Sequence, residues 1–371
     1  MGRDSGDNDF SELSHPPQNI GIYHKLKQLF LKDIKEVGFG LLAIIAALLT
    51  VAIMISAAGI NSIEAYQALV KGSLGSINGI SETFVKATPL IFLGLGITIA
   101  FKGGMWNIGG DGQLLLGALG GTIVGVYLPD MPPILHITLS LLGGFILGAF
   151  WAAIPGYLKL KRGTNEIVVT IILNYLAVFL IAYLVSGPMK DTTQLIPIPQ
   201  SREIAGSAVL PRLIPLTRIH AGFLIAIVAA IVVWFMLERT VLGYEIKSVG
   251  ENKEAAKYGG INIFRAGLIS MVFSGGLAGI AGVSEVAGVH HYLLDGISPG
   301  YGYLAIAVAL FGGLNPIGVV FSAIFFGALM VGAESMQRAV GVPTATIYLL
   351  EGLVVIFILA RHILTRHRIF G

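Results

Sequence analysis

Residues 221–237 read AGFLIAIVAAIVVWFML and contain no charged side chain. The segments 39–59 and 346–360 have the same character, and each carries at most one charge. A helix needs about 20 consecutive apolar residues to cross the hydrocarbon core of a bilayer. These blocks therefore predict a chain that crosses a membrane several times, rather than a soluble protein with an unusually apolar core.

The composition of the whole chain agrees with this prediction. Of its 371 residues, 55% are hydrophobic and 12% are charged, whereas soluble domains contain about 25% charged residues. The chain has no cysteine, which excludes a disulfide framework, a catalytic thiol and a cysteine-ligated metal site. A net charge of +3 gives no indication of nucleic-acid binding.

Many of the 49 glycines occur at four-residue spacing, as in Gly144…Gly148 and Gly275…Gly279. In lipid, small residues at this spacing allow two helix backbones to approach closely. The glycines therefore predict tightly packed helix pairs.

The apolar blocks predict an all-α membrane bundle of about ten transmembrane helices. The predicted crossings are 37–59, 86–101, 114–128, 134–158, 166–187, 221–238, 266–289, 301–313, 317–335 and 346–360. Residues 1–36 are predicted to form a polar cytoplasmic tail that ends in a basic amphipathic segment. The transmembrane domain would span 37–360 with a cytoplasmic loop at 239–265, and 361–371 would form a basic tail.

The distribution of Lys and Arg predicts the orientation. With both termini in the cytoplasm, most of the 24 Lys and Arg residues fall on the cytoplasmic side, including the clusters at 25–35, 159–162 and 239–265. Positive charge is enriched in cytoplasmic loops of membrane proteins. An even number of crossings agrees with this orientation.

Two polar, glycine-rich breaks interrupt the apolar pattern, at 102–113 and at 290–302. The predicted crossings before them run in opposite directions. Paired broken segments of opposite orientation are typical of transporters built from inverted repeats around a central pathway. The sequence therefore predicts an inverted repeat.

The first break reads WNIGGDGQ and contains three polar residues among its glycines, Asn107, Asp111 and Gln113. Such side chains are costly to expose to lipid, and glycine permits unwound backbone where it lines a cavity. The pattern favours a pathway or gate element. An ordinary cytoplasmic turn is the alternative.

A second polar group lies in the predicted fifth crossing. Glu166, Thr170 and Asn174 recur at four-residue spacing and share one helix face, and Tyr175 follows. Asn174 could face a polar pathway or hydrogen-bond to a neighbouring helix. Glu166 could be only a first-turn acid that the helix dipole favours.

The cytoplasmic loop contains a predicted short helix. Asn252 can cap it, Ala255 and Ala256 favour it, and Gly259-Gly260 can end it. Spacing alone leaves two interpretations open, a helix that docks on a partner and a surface helix without one.

The sequence resembles the permease subunits of ATP-binding-cassette (ABC) importers at this helix, where Glu254-Ala255-Ala256 and Gly260 match their EAA loop. From about residue 65 to 360 it resembles one branch, the basic-membrane-protein-dependent permeases for nucleosides and simple sugars. Asp111 departs from that branch, which usually has Glu there. The remaining matching motifs are Ala87-Thr88-Pro89-Leu90, the 107–113 block, Asn165-Glu166, Leu173-Asn174-Tyr175, Tyr301-Gly302-Tyr303, Ala307-Val308-Ala309-Leu310 and Asn315-Pro316.

The resemblance implies a transport subunit of a bacterial plasma membrane, with no catalytic or metal site of its own. Its expected partners are a second permease chain, an ABC ATPase that binds ATP and Mg²⁺, an extracellular solute-binding lipoprotein and membrane lipid. The chain lacks the G-x-x-x-x-G-K-[ST] phosphate-binding motif. The expected ATPase-coupling residues are Gly250, Asn252, Glu254, Ala255, Ala256, Tyr258 and Gly260.

The alternative is an ion-coupled secondary transporter that works alone. Such a protein is expected to hold carboxylates near the centre of the membrane, and Glu285, Glu334 and Glu351 are the candidates. A membrane enzyme is a more distant alternative because no His–carboxylate metal spacing or nucleophile constellation is apparent.

Overall fold

The computed structural model describes residues 45–193 and 198–343, together with Leu349, Gly352, Leu353 and Ile356. These residues form an all-helical bundle, as predicted, and their only extended pairings are three isolated bridges. The predicted tails at 1–36 and 361–371 lie outside the described residues, as does Glu351.

Each predicted crossing between 86 and 335 coincides with a helix. The described helices are α1 (Ile45–Ala57), α2 (Ser62–Leu74), α3 (Ile77–Lys102), α4 (Gly110–Tyr127), α5 (Pro133–Arg162), α6 (Glu166–Ser186), α7 (Gly222–Arg239), α8 (Val241–Glu251), α9 (Lys253–Tyr258), α10 (Ile263–Glu285), α11 (Tyr301–Phe311) and α12 (Pro316–Val340).

Six of the described helices are long and apolar enough to cross a membrane, namely α3, α5, α6, α7, α10 with its continuation to His290, and α12. The described part of α1 and the whole of α11 are apolar but shorter. The protein is therefore a multi-pass membrane protein, and the count of ten crossings stays a prediction.

Local sequence explains where several helices begin. Asn61, Asn165, Asn252, Asn262 and Asn315 each accept a backbone N–H from the first turn of the helix that follows. Their side-chain oxygens replace the partners that the first helical N–H groups lack.

Helices α3 and α10 occupy the centre of the bundle, because most residues of their apolar stretches are buried. In α5, α6 and α7 most residues of the apolar stretch are not buried, so these helices lie on the outside. The glycine spacing explains why α4, α5 and α10 meet so closely. A Cβ atom on Gly148 of α5 would lie 2.8 Å from the Cα of Gly279, and one on Gly117 of α4 would lie 2.5 Å from the Gly279 carbonyl carbon. The predicted close packing is confirmed at this three-helix crossing.

The connection between α6 and α7 covers one end of the bundle. Arg218 in this connection pairs with Glu82 of α3 at 2.5 Å, and the carboxylate raises the pKa of the guanidinium. His220 is buried against Gly288, where α10 continues as a π-turn over Val286–His290. Burial lowers the pKa of His220 to about 4, with a smaller contribution from His291, so the ring is neutral at physiological pH.

Candidate functional site

The break between α3 and α4 lies inside the bundle, beside the middle of α10. Asn107 is only 1% exposed, and its amide pairs head to head with the amide of Gln113 through two hydrogen bonds of 2.9 Å. The same amide donates to Ser274 of α10 at 2.9 Å and accepts from Gly109 N–H at 3.0 Å. An ordinary cytoplasmic turn would leave these side chains in water, so that alternative is wrong.

Asp111 joins the first turn of α4 to the first turn of α11. Its Oδ1 accepts the hydroxyl of Ser298 at 2.6 Å and the N–H of Gly302 at 2.9 Å. A Cβ atom on Gly302 would lie 2.7 Å from the carbonyl carbon of Gly110, so the two backbones are in direct contact. The carboxyl group therefore lies where the N-termini of α4 and α11 meet.

Asn174 of α6 holds the same break from its other side. Its Oδ1 accepts Gly112 N–H at 2.9 Å, while its Nδ2 donates to the carbonyl of Ile108 at 2.9 Å and to the Tyr303 hydroxyl at 3.2 Å. Of the two interpretations of Asn174, the structure thus contains hydrogen bonds to a neighbouring segment. Tyr175 lies outside this group, because its side chain is 61% exposed on the outer surface of α6.

Glu166, Thr170 and Asn174 lie on the buried face of α6, in agreement with their spacing. Glu166 is in the first turn of α6 and pairs with Lys159 of α5 at 2.7 Å. The first-turn acid therefore has a further role, because it joins the end of α5 to the start of α6.

The predicted short helix in the 239–265 loop is present as α9, and α8 precedes it. Ala256 is only 4% exposed and packs with Val249 and Ala266 of the same chain. The side chain of Ala256 therefore faces the rest of the chain, and its assignment as a coupling residue stays a prediction. Ala255 is exposed, as are Asn252, Glu254, Gly260 and Tyr258, whose side chain is 93% exposed.

At Gly250, a side chain would point toward the backbone at the start of the break. A Cβ atom on Gly250 would lie 2.8 Å from the carbonyl carbon of Lys102 and 3.0 Å from the nitrogen of Gly104. The end of α8 thus contacts the backbone at the start of the break, with no side chain between them.

Sequence reasoning did not find several residues of the site. Ser274 and Ser298 are isolated hydroxyls in α10 and in the second break, and their chain positions give no signal of their distant partners. Lys159 could have been found, since it precedes a helix end at Gly163 and Glu166 follows it. Such a hairpin brings the two side chains together.

Substitutions on α6 can separate the contribution of the Glu166 ion pair from that of the Asn174 hydrogen bonds. Glu166→Gln keeps a hydrogen-bond acceptor for Lys159, so we expect at most about a threefold loss of transport. Asn174→Leu leaves Gly112 N–H and Ile108 C=O without their partner, so we expect roughly a tenfold loss or more. Uptake normalised to membrane-inserted protein measures both. Loss of transport by Glu166→Gln at normal expression would contradict this ranking.

Comparison with known proteins assigns the chain to a family. Residues 79–359 match the family described as the branched-chain amino acid transport system permease component. No solved structure matches the chain significantly.

Three of the similar curated proteins align with most of this chain and are named as ABC transporter permeases. A glucose ABC transporter permease of Haloferax volcanii is 35% identical over 90% of this chain and 89% of its own. A guanosine ABC transporter permease of Bacillus subtilis is 34% identical over 86% of this chain and 91% of its own. A nucleoside ABC transporter permease of Lactococcus lactis is 34% identical over 87% of this chain and 91% of its own. The chain therefore belongs to the branched-chain amino acid transport system permease family, in its branch of ABC importer permeases for nucleosides and sugars.

Proposed function

We propose that this chain forms part of the solute pathway of an ATP-driven importer for nucleosides or related simple sugars. The observation that carries the proposal is the similarity to permeases named for guanosine, nucleosides and glucose over about nine-tenths of each chain. The family assignment favours this function over an ion-coupled transporter that works alone. In this proposal the chain has no ATPase site, and a partner ABC ATPase binds ATP and Mg²⁺.

The proposed topology has ten crossings, with both termini in the cytoplasm of a bacterial cell. It includes an inverted repeat that pairs α3, its break and α4 with α10, its break and α11. Direct contact between the starts of α4 and α11 supports this pairing, since repeats of opposite orientation bring their broken segments together near the midplane.

The proposed partners are a second permease subunit, the ABC ATPase and an extracellular solute-binding lipoprotein. The ATPase would dock on the exposed surface of α8 and α9. Tyr258 and Tyr244 support this assignment, because both are largely exposed, as is Val241. On the other side of the segment Ile246, Val249 and Ala256 are buried. Exposed tyrosine is enriched in protein interfaces.

The proposed gate is the break with its hydrogen-bonded residues Asn107, Asp111, Gln113 and Asn174. Their amides and carboxylate satisfy one another in the structure, so an opening movement would expose polar groups that can accept a hydroxylated solute. Tyr303, whose hydroxyl accepts from Asn174 and which is 46% exposed, offers a ring face on which a nucleobase can stack. Tyr175 lies on the outer surface of α6, so its place in the pathway stays a prediction from the sequence.

Adjacent alanines in α9 test the docking surface. Ala255→Trp adds bulk to the exposed side, so we expect the permease to fold while ATPase co-purification and uptake fall together, by roughly tenfold. Ala256→Trp adds the same bulk to the packed side, so we expect loss of folded permease itself. Wild-type uptake and co-purification by Ala255→Trp would contradict docking on this face.

Uptake by the purified importer in liposomes tests the function. The permease, its partner subunits and the binding lipoprotein are reconstituted together, and radiolabelled guanosine is supplied outside. We expect guanosine uptake to require ATP inside the liposomes. We also expect unlabelled nucleosides to inhibit this uptake more strongly than pentoses do. Stronger competition by pentoses would assign the solute to simple sugars. Uptake driven by an ion gradient without ATP would overturn the proposal.

A further inference from the structure

Helix α8 meets the start of the break at Gly250 and Gly104, where the two backbones lie against each other. A Cβ atom on Gly104 would lie 3.2 Å from the Cα of Gly250, and Gly104 has a positive φ of 68° that favours glycine. Val249 and Ile246 beside Gly250 are fully buried, so the end of α8 is fixed to the bundle. Closely packed backbones transmit a displacement because no flexible side chain lies between them.

The break continues this contact into the centre of the bundle. Met105, one residue after Gly104, is buried with Ala100 and Met271. Two residues further on, Asn107 is hydrogen-bonded to Gln113 in α4 and to Ser274 in α10. A shift of Gly104 therefore acts directly on the first turn of α4.

Asp111 carries the connection from α4 to α11. Its Oδ1 accepts both the Ser298 hydroxyl and Gly302 N–H, and Ser298 in turn accepts Tyr301 N–H at 3.2 Å. Helix α11 is only 11 residues long and follows Gly300, which has a positive φ of 95°. A short helix after such a turn can move as one unit when its first turn is displaced.

We propose that Gly250 and Gly104 form the joint at which a movement of α8 and α9 enters the membrane bundle, and that the Asp111 carboxylate passes the movement on to α11. These three are positioning residues for transport. The inference rests on the proposed docking of an ATPase at α8 and α9, and it goes further by naming the contacts that connect that surface to the break.

Two glycines near this segment form a matched pair for the test. Gly250 has no room for a methyl group, whereas a Cβ atom on Gly259 would meet its nearest neighbour, the Ala256 carbonyl oxygen, at 3.4 Å. Gly250 lies in the last turn of α8, and Gly259 is the residue that ends α9. Gly250→Ala should therefore disturb the joint, and Gly259→Ala should not.

The experiment measures ATP hydrolysis and solute uptake in the same proteoliposomes that contain the complete importer. For Gly250→Ala we expect ATPase co-purification and ATP hydrolysis to persist while the uptake per ATP hydrolysed falls by about tenfold. Gly259→Ala should retain the wild-type ratio. The proposed joint would be contradicted if Gly250→Ala kept the wild-type uptake per ATP hydrolysed, or if both variants lost it equally.

Substitutions of Asp111 provide a second test of the proposal, which can be used if Gly250→Ala does not reach the membrane. Asp111→Asn keeps an oxygen acceptor for Gly302 N–H and should retain most of the uptake per ATP, whereas Asp111→Ala should lose it. Equal ratios in these two variants overturn the role of Asp111. The wild-type importer tests the proposed function separately. If it shows no ATP-dependent uptake, the proposed function is wrong, whatever the variants do.

Discussion

Gly279→Val is expected to reduce the folded protein in the membrane by more than roughly tenfold. A Cβ atom on Gly279 of α10 would lie 2.8 Å from the carbonyl carbon of Gly144 and 3.3 Å from the Cα of Gly148, both in α5. A valine side chain at this point would therefore have to push α5 away from α10. The thermal stability and yield of the detergent-solubilised protein measure the effect.

The control for this substitution adds side-chain bulk where the described chain leaves space. Ala339 lies on the exposed side of α12, so Ala339→Leu should keep wild-type yield and stability. If Gly279→Val matched that control, close backbone packing would not be what holds the three helices together.

Asn107→Leu is expected to lower transport by roughly tenfold or more and to destabilise the protein by about 1–3 kcal/mol. The substitution removes the partner of Gln113, and it also takes an acceptor from Gly109 N–H in a place without access to water. Uptake per membrane-inserted permease and thermal unfolding measure the two effects separately.

The double variant Asn107→Leu/Gln113→Leu distinguishes a gate from a purely structural pair. Removal of both amides leaves fewer unpartnered polar groups, so stability should recover in part relative to Asn107→Leu. Transport should stay low, because the break then lacks the polar groups proposed to form the gate. Recovery of transport together with stability would show that the amide pair serves folding alone.

Helix positions were largely predictable from the sequence because lipid imposes a simple requirement. A segment such as 221–237 can satisfy its backbone hydrogen bonds in hydrocarbon only as a helix, and α7 occupies Gly222–Arg239. Asn252 signalled the start of α9 for a similarly local reason. The predicted crossing at 301–313 coincides with α11, which is shorter than a spanning helix, so that crossing stays a prediction.

Polar residues of the break were identifiable as unusual, but their partners were not. Asn107 and Asp111 are conspicuous because polar groups in an apolar region are costly. Their contacts with Ser274, Ser298 and Gly302 span more than 160 positions of the chain, so no local pattern could reveal them.

The sequence by itself determined that this is an all-helical membrane protein, because a long uncharged apolar segment has only one stable way to cross a bilayer. It also determined the permease family, through motifs distributed over most of the chain. Only the tertiary structure decided which small residues of the coupling segment face inward. Gly250 and Ala256 look interchangeable with Gly259 and Ala255 in the sequence, yet the first two pack against the bundle and the others do not. The physical reason is that burial depends on which distant backbone lies against a residue, and local spacing carries no information about that neighbour.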